Sequence, residues 1–193
     1  MDTERVRADS AGVPDSLHTS QTPSPWVSRW LQLLPPRSRV LDLACGSGRH
    51  TRLAQQAGHR VIAVDRDAQA LAGLASLPDV TVVQADIEGG DWPLPGQQFD
   101  AVIVTNYLYR PVFPALIDSV ADAGLLIYET FALGNERFGR PSNPDFLLRP
   151  GELYETVRPT LRVLAYEDVF QDRPKPAMVQ RLCACGPAFT WQS

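Results

Sequence analysis

The sequence predicts an α/β domain with a doubly wound, mainly parallel seven-stranded sheet, helices on both faces and an antiparallel edge strand. From Arg39 onward, strand-like and helix-like segments alternate along the chain. The strand-like segments are near-continuous apolar runs, as is typical of strands that are buried on both faces. Such alternation implies parallel strands joined by right-handed crossovers. The last two strand-like segments have no helix between them, which favours an antiparallel pair at the edge.

The first predicted element is a helix that begins near Ser24 and ends before Pro35 and Pro36. Ser24 suits the N-cap and Pro25 suits the first turn, whereas the proline pair cannot continue a helix. Four apolar residues recur at helical spacing and predict a buried stripe: Trp26, Trp30, Leu33 and Leu34.

Seven strands are predicted after this helix. The first five read RVLDLAC from Arg39, RVIAVD from Arg60, VTVVQAD from Val80, FDAVIVTN from Phe99 and GLLIYETF from Gly124, and the last two lie near 161–170 and 177–185. The predicted helices cover about 48–57, a segment capped by Asp67, about 112–121 and about 150–157. A long loop over about 131–150 is of a length that is often functional, which favours an ordering lid.

Composition restricts the class of protein. The 193 residues are 44% hydrophobic and 21% charged, which suits one domain with a proper core. A net charge of −4 disfavours a large nucleic-acid footprint, because such affinity depends on Lys and Arg. No apolar run approaches the roughly 20 residues that span a bilayer, and the first residues lack the apolar centre of a signal peptide. We therefore expect a cytoplasmic protein without a membrane partner.

The two ends of the chain carry little recognisable chemistry. Residues 1–23 are polar and predict a mobile N-terminal arm, so we place the domain at 24–193. Three cysteines make no disulfide framework. Cys183 and Cys185 share one strand face without a second ligand cluster, so we predict two strand cysteines and no metal site.

The stretch VLDLACGSGRH, from Val40 to His50, is the first candidate site. Gly46 and Gly48 lie where the first strand meets a helix, and glycine lets a ligand touch the backbone there. The dinucleotide fingerprint G-x-G-x-x-G is incomplete, because Thr51 occupies its third glycine position. Asp42 would repel a diphosphate but suits a ligand with positive charge, such as S-adenosylmethionine with its sulfonium and ammonium groups.

Two further carboxylates end the next strands. Asp65 comes 19 residues after Gly46, where an acidic group accepts hydrogen bonds from both ribose hydroxyls. Asp86 ends the third strand, where it can accept a bond from an adenine amino group while Ile87 packs on the ring. A single aspartate at a strand end is more often a turn residue. Three at the ends of consecutive strands favour a ligand.

With these residues the sequence resembles the class I S-adenosylmethionine-dependent methyltransferases. The resemblance rests on VLDLACGSGRH, VIAVDRD, VVQADIE and FDAVIVTN and covers about 39–131. The glycine turn is most similar to the small-molecule, tellurite-resistance-methyltransferase-like branch, although His50 replaces the third glycine of many relatives. The resemblance implies a Rossmann-like methyltransferase fold with S-adenosylmethionine as cofactor.

The resemblance also implies roles for individual residues. Asp42, Ala44 and Gly46 would lie along the methionine part of the cofactor, with Gly48 completing the turn. Asp65 would hold the ribose and Arg66 would flank the adenine, while Asp86 and Ile87 would contact the base. Asn106 and Tyr107, just beyond the fourth strand, would face the methyl group.

Methyl transfer from a sulfonium is an in-line displacement, which needs alignment more than a fixed catalytic triad. The candidate catalytic residues are Asn106, Tyr107, Glu129 and His50. Glu129 can act as a base or hold the following loop, and His50 is a base or a structural contact. Arg110 and Arg140 can clasp an anionic substrate or form loop ion pairs. The sequence NPDF from Asn143 reads as a turn rather than an amino-methylating motif.

Three functions remain open on the sequence alone. The first is a methyltransferase acting on a small molecule. A nicotinamide-dependent oxidoreductase shares the fold and a ribose-binding Asp65, but the incomplete glycine pattern and Asp42 disfavour it. A regulatory module that binds the cofactor without catalysis is the third, because a fold and a pocket do not establish chemistry. The oligomeric state and the acceptor atom are not predicted.

Overall fold

The computed structural model describes residues 22–191, so nearly all of the predicted N-terminal arm lies outside the described residues. The described chain forms a seven-stranded sheet with the order β3-β2-β1-β4-β5-β7-β6. The strands are β1 (Arg39–Leu43), β2 (Arg60–Asp65), β3 (Val80–Gln84), β4 (Phe99–Thr105), β5 (Val120–Phe131), β6 (Arg162–Gln171) and β7 (Ala177–Cys185).

The five helices are short, and sequence signals explain their ends. They are α1 (Pro25–Leu31), α2 (Arg49–Gln56), α3 (Ala68–Ala72), α4 (Phe113–Asp118) and α5 (Glu152–Val157). The Ser24 side chain caps α1 by accepting from the N–H of Trp26, and Asp67 caps α3 in the same way. Both caps agree with the predictions from sequence.

Predicted boundaries move at the first helix and before β5. Helix α1 ends at Leu31, so Trp26 and Trp30 of the predicted stripe are buried, whereas Leu33 and Leu34 lie beyond the helix and are half-buried. The sequence pattern predicts a helix over about 112–121, but α4 ends at Asp118 and β5 already begins at Val120. The Phe99 N–H donates to the Ser119 carbonyl, so pairing with β4 extends β5 toward its amino end. The register of the two strands then shifts between Phe99 and Ala101, from Phe99 opposite Val120 to Ala101 opposite Leu125, as at a β-bulge.

The sheet is parallel from β3 to β5, and β7 is antiparallel to both β5 and β6. The predicted antiparallel edge is confirmed. The reversed strand β7 lies one place inside the edge, which β6 forms. Parallel strands β1 to β5 therefore end together, and β6, parallel to them, ends on the same side.

Apolar layers cover both faces of the sheet. On one face, Trp26, Val27 and Trp30 of α1 pack on Ile103, Leu125, Ile127 and Cys183. On the other, α4 and α5 bury Phe113, Leu116, Leu153 and Val157 against Leu43, Val104 and Tyr128. Because the two layers hold the sheet rigid, the residues just past the strand ends form a fixed platform. Within residues 22–191, no helix has the length and hydropathy needed to cross a membrane.

Candidate active site

The glycine turn joins β1 to α2 in an unusual backbone conformation. Ala44, Gly46 and Gly48 have φ angles of 53°, 54° and 80°, all in the left-handed region. The Gly46 N–H donates to Asp65 Oδ2 at 2.7 Å, which ties the turn to the end of β2. A left-handed alanine costs free energy, and such strain is concentrated at functional sites.

The two glycines serve different purposes. A Cβ at Gly48 would collide with Leu74 Cδ1 at 2.5 Å and with Leu74 Cδ2, so packing after α3 requires glycine there. Gly48 is therefore glycine because of its neighbour, and its positive φ adds to the requirement. Gly46 is half-buried and directs its N–H toward the aspartate that the sequence predicts as the ribose ligand.

Asp42 is held inside the protein rather than at the surface of the turn. Its side chain is 1% exposed, and Oδ2 accepts a hydrogen bond from Thr51 Oγ1 at 2.6 Å. Burial raises the pKa of Asp42 to about 6, although the hydrogen bond from Thr51 opposes the shift. Thr51, at the third glycine position of the dinucleotide fingerprint, thus provides the hydrogen-bond donor to the buried Asp42.

Asp65 ends β2, whereas Asp86 lies two residues beyond β3, which is shorter than the predicted strand VTVVQAD. Asp65 accepts one backbone N–H on each oxygen, from Gly46 at 2.7 Å and Asp67 at 2.9 Å. A carboxylate has about four lone-pair sites, so both oxygens retain capacity for a ribose diol. Asp86 uses Oδ1 for the N–H groups of Glu88 and Gly89, as a turn residue does.

The residues that follow these aspartates differ in exposure. Arg66 is exposed beside the end of β2, whereas Ile87 is 9% exposed and joins the core. Ile87 thus offers an apolar floor, and Arg66 a side chain free to cover a ligand. Both lie at the same edge of the sheet as Asp65.

The segment that follows β4 contacts the segment that follows β3. Tyr109 donates from its hydroxyl to the Glu88 carbonyl at 3.2 Å. Burial raises the pKa of Tyr107, and the nearby Glu88 carboxylate raises it further, so this hydroxyl remains protonated. The Tyr107 carbonyl accepts from Tyr128 at 2.8 Å. Both tyrosines therefore wall the side of the site where Asp86 and Ile87 lie.

His50 connects three elements through both ring nitrogens. Nε2 accepts from the Ser24 N–H at 3.0 Å, which assigns the proton to Nδ1, 3.3 Å from Thr105 Oγ1. The ring is 2% exposed, and burial lowers the pKa of His50 to about 3, with Arg49 adding to the effect. This geometry favours the structural interpretation of His50 over the general-base interpretation.

Asn106 and Glu129 meet at the ends of β4 and β5. Asn106 is exposed with a φ of 55°, and its N–H donates to the Glu129 carbonyl at 2.9 Å. The Glu129 side chain is buried, and its Oε2 accepts no hydrogen bond from the described residues. The nearest cation is Arg181, whose Nη1 lies 3.5 Å from that oxygen.

Two arginines near Glu129, Arg49 and Arg181, were not among the candidate residues from the sequence. Burial lowers the pKa of Arg49, while the carboxylates of Glu129 and Asp42 oppose the shift, so this guanidinium lies near both. Its position directly after Gly48 is the signal that would have found it. Arg181 lies on β7, and only the strand register reveals that it pairs with Glu129.

Arg110 is committed to holding the loop after β5. It donates to both carboxylate oxygens of Glu152, at 2.6 and 3.0 Å, and to the carbonyls of Asp145 and Leu147. The loop interpretation of Arg110 is therefore favoured over a substrate clasp. Asn143 caps a short 3-10 turn by accepting from the Asp145 N–H, as the turn interpretation of NPDF predicts.

The sequence of residues 40–123 matches the family model described as "Methyltransferase domain". That range contains the glycine turn, Asp65, Asp86 and Asn106. Over less than half of its length the chain is thus similar to a methyltransferase domain, and S-adenosylmethionine is the cofactor named for two of the solved structures that share its fold.

Several solved structures share the fold of this chain. TehB from Haemophilus influenzae is 17% identical with a TM-score of 0.69, over 83% of this chain and 61% of that one, so this chain spans less than two thirds of TehB. A TehB-like S-adenosylmethionine-dependent methyltransferase from Corynebacterium glutamicum is 16% identical, with a TM-score of 0.62 over 83% and 87% of the two chains. One from Mesorhizobium loti is 19% identical, with a TM-score of 0.63 over 81% and 97%. A search of curated proteins finds no match.

The described residues fit this cofactor. Asp65 has lone pairs left for a ribose, and the left-handed turn exposes backbone beside it. Ile87 supplies an apolar surface for a base, and Arg49 lies near the carboxylates of Glu129 and Asp42, so charges of both signs occur beside the glycine turn. A zwitterionic amino acid attached to a sulfonium requires such mixed charge.

Proposed function

We propose that this protein transfers the methyl group of S-adenosylmethionine to a small-molecule acceptor by in-line displacement. The observation that supports it best is the 2.7 Å hydrogen bond from the Gly46 N–H to Asp65, which joins the strained turn to a ribose-binding carboxylate. Fold alone does not establish function. The turn, the carboxylate and the family match together carry the proposal.

The cofactor-binding roles follow from where each group lies. Asp65 binds the ribose hydroxyls with the lone pairs that the turn leaves, and Arg66 covers the adenine. Ile87 and Tyr107 form the walls of the base pocket, and Asp86 accepts from the base through Oδ2. Toward the methionine end, Ala44, Gly46 and Gly48 provide the backbone surface, with Asp42 behind it holding Thr51.

When bound, the cofactor supplies a methyl group activated by the attached sulfonium. The chain aligns the acceptor with that group and excludes water. Asn106 lies exposed at the end of β4, where its side-chain amide orients the acceptor. Glu129, next to it, takes the proton that the acceptor loses. His50 holds α1 and α2 against β4 by its two ring contacts.

Composition and charge favour a small acceptor. Residues 22–191 consist of the sheet, its covering helices and their connections. The net charge of −4 does not favour a nucleic-acid acceptor. Similar folds include a protein described as a glycopeptide N-methyltransferase and another described as a [4+2]-cyclase, so the acceptor depends on local side chains.

Calorimetric titration with S-adenosylhomocysteine tests the cofactor site. We expect binding to the wild type and roughly 10- to 100-fold weaker binding to Asp65→Asn, because a charge-assisted hydrogen bond contributes about 1.5–3 kcal/mol. Asp100→Asn is the matched control, since Asp100 accepts from Arg39 at the amino end of the sheet. No heat with the wild type, or binding of NADH instead, would refute the proposal.

Catalysis needs a separate test. Wild-type protein is incubated with S-adenosylmethionine and a panel of small alcohols, phenols, amines and thiols, and formation of S-adenosylhomocysteine is followed. Turnover with one of these acceptors is the expected result. Tight cofactor binding without turnover on any of them would favour the regulatory module that the sequence leaves open.

A further inference from the structure

A row of four polar residues crosses the sheet on the face that α1 covers. Thr105 pairs with Glu129, Glu129 with Arg181, and Arg181 with Glu167. Paired residues on neighbouring strands point to the same face. The row starts on β4, which neighbours β1 and its glycine turn, and ends on the edge strand β6.

Arg181 contacts the two glutamates of this row unequally. Arg181 donates from Nε to Glu167 Oε2 at 2.6 Å, and its guanidinium lies 5.2 Å from the centre of the Trp26 ring. Its approach to Glu129 is longer, 3.5 Å from Nη1 to Oε2. The shorter contact of Arg181 is thus the hydrogen bond to Glu167, and its guanidinium also makes a cation–π contact with Trp26. Glu129 keeps an oxygen that accepts no hydrogen bond from residues 22–191.

Such a carboxylate is costly unless something donates to it. Glu129 is 8% exposed, and an enclosed charged group without donors loses the hydrogen bonds that water would make. Arg49, the other cation nearby, donates to the Thr22 carbonyl at 3.4 Å and lies on the side of the glycine turn. Both cations leave Oε2 of Glu129 without a hydrogen-bond donor from residues 22–191.

We propose that the row Thr105, Glu129, Arg181 and Glu167 is the acceptor subsite and that it selects an acceptor with an O–H or ammonium N–H group, not an anion. This inference rests on the proposed function and gives its acceptor a chemical class. Glu129 binds the donor group, while Glu167 holds the guanidinium of Arg181, whose positive charge competes with a cationic acceptor for Glu129.

The chemical step balances with this assignment. A hydroxyl acceptor forms an O–C bond to the methyl carbon while the C–S bond breaks and its electron pair goes to sulfur. The hydroxyl proton goes to the Glu129 carboxylate and later to water. An ammonium acceptor first gives one proton to Glu129, attacks through the nitrogen lone pair and leaves as a methylated ammonium. S-adenosylhomocysteine is the other product in both cases.

Nuclear magnetic resonance with two simple probes tests the subsite without knowledge of the natural acceptor. The 15N-labelled protein is saturated with S-adenosylhomocysteine and titrated with benzylamine or with benzoate, which share a ring and differ in charge. We expect benzylamine to shift the Arg181 Nε–H signal and the backbone signals of Thr105 and Glu129. Benzoate should leave them unchanged.

Two variants separate binding from structure. Glu129→Gln should weaken benzylamine binding by about 10-fold, as expected for loss of a charge-assisted hydrogen bond, while Glu155→Gln, at an exposed ion pair of α5, should not. Arg181→Gln should tighten benzylamine binding and lower the free energy of unfolding, because it leaves two carboxylates without their guanidinium. A purely structural row would show only the loss of stability.

The outcomes distinguish this inference from the proposed function. If S-adenosylhomocysteine does not bind, the proposed function fails. If it binds but benzoate shifts the row signals as strongly as benzylamine does, or neither probe shifts them, the acceptor subsite is wrong. Benzylamine binding that Glu129→Gln leaves unchanged would also overturn it.

Discussion

Single residues around the glycine turn are fixed by different forces. Asp42 is held by burial and one hydroxyl, Gly48 by the Leu74 side chain, and Asp65 by two backbone N–H groups. The motif VLDLACGSGRH thus combines a packing requirement with the surface where we propose that the cofactor binds. Substitutions within it should therefore separate stability from cofactor affinity.

Replacing Gly48 by alanine should lower the free energy of unfolding by more than the strain of a positive φ alone would. The new Cβ meets the Leu74 methyl groups, so strain of about 1 kcal/mol is joined by overpacking of about 1–3 kcal/mol. Gly96→Ala is the matched control, because Gly96 has a φ of 70° and open space around it. Urea denaturation of both variants measures the difference, and equal losses would contradict the packing argument.

Asp42 should make stability depend on pH in mild acid. Its pKa is about 6 in the folded protein and about 4 in the unfolded chain. Between these values the folded state binds more protons, so the free energy of unfolding falls as pH rises from about 4 to about 6 and then levels off. The total loss is about 2–3 kcal/mol, at about 1.4 kcal/mol for each pKa unit.

The variant Asp42→Asn removes this dependence while an amide oxygen still accepts from Thr51. Its stability relative to the wild type should increase from pH 4 to pH 6 and then stay constant, as measured by urea denaturation across that range. Asp118→Asn, on the exposed side of α4, provides the control with a flat difference. A flat difference for Asp42→Asn too would show that Asp42 is not destabilised by burial.

Among the elements, the loop from β5 to α5 is the one that Arg110 controls. Four hydrogen bonds join Arg110 to Glu152, Asp145 and Leu147. The fully buried Gln180 adds a second anchor, since it donates to the Arg149 carbonyl and accepts from the Leu153 N–H. This loop is therefore fastened at its carboxyl end.

Arg110→Ala should loosen that end without unfolding the sheet. The buried donors and acceptors left behind cost about 1–3 kcal/mol, and hydrogen exchange of the Leu133 and Leu148 amides should accelerate because they pair across the base of the loop. Arg158→Ala removes a solvent-exposed pair of α5 and should leave both amides unaffected. Equal protection in Arg110→Ala would show that the anchor is dispensable.

The same elements show how far sequence reasoning reaches. Apolar runs and caps predict the strands and α1, because each depends on neighbours along the chain. The register between β5 and β7 follows from tertiary packing, so the pairing of Glu129 with Arg181 was not predictable. The hydrogen bond from Thr51 to Asp42 and the hydrogen bonds from Arg110 to the loop after β5 depend on the directions of side chains from different elements. Sequence periodicity does not encode these directions.

On the scale of the whole molecule, β7 joins the edge strand β6 to the rest of the sheet through its pairing with β5. It is antiparallel to the strands on both sides, and Cys183 and Cys185 on it are completely buried. Cys45 is only half-buried and lies in the glycine turn. The three thiols therefore report on two different events: opening of the turn and loss of the sheet.

Thiol labelling in the native state should resolve these events. Burial raises the pKa of Cys45 and of Cys183, so both thiols react slowly while folded. We expect Cys45 to react first through local opening, and Cys183 and Cys185 together at a rate set by the free energy of global unfolding from urea denaturation. Cys45→Ser should retain only the slow phase.

A bound ligand should slow both phases, since any ligand of the folded state adds RT ln(1 + [L]/Kd) to its stability. Saturating S-adenosylhomocysteine should slow the Cys183 and Cys185 phase by the factor that calorimetry predicts. It should protect Cys45 at least as strongly, because Cys45 adjoins Gly46 in the turn where we propose that the cofactor binds. Labelling of Cys183 or Cys185 while circular dichroism still reports an intact sheet would show that β7 detaches by itself, and the sheet would not be one cooperative unit.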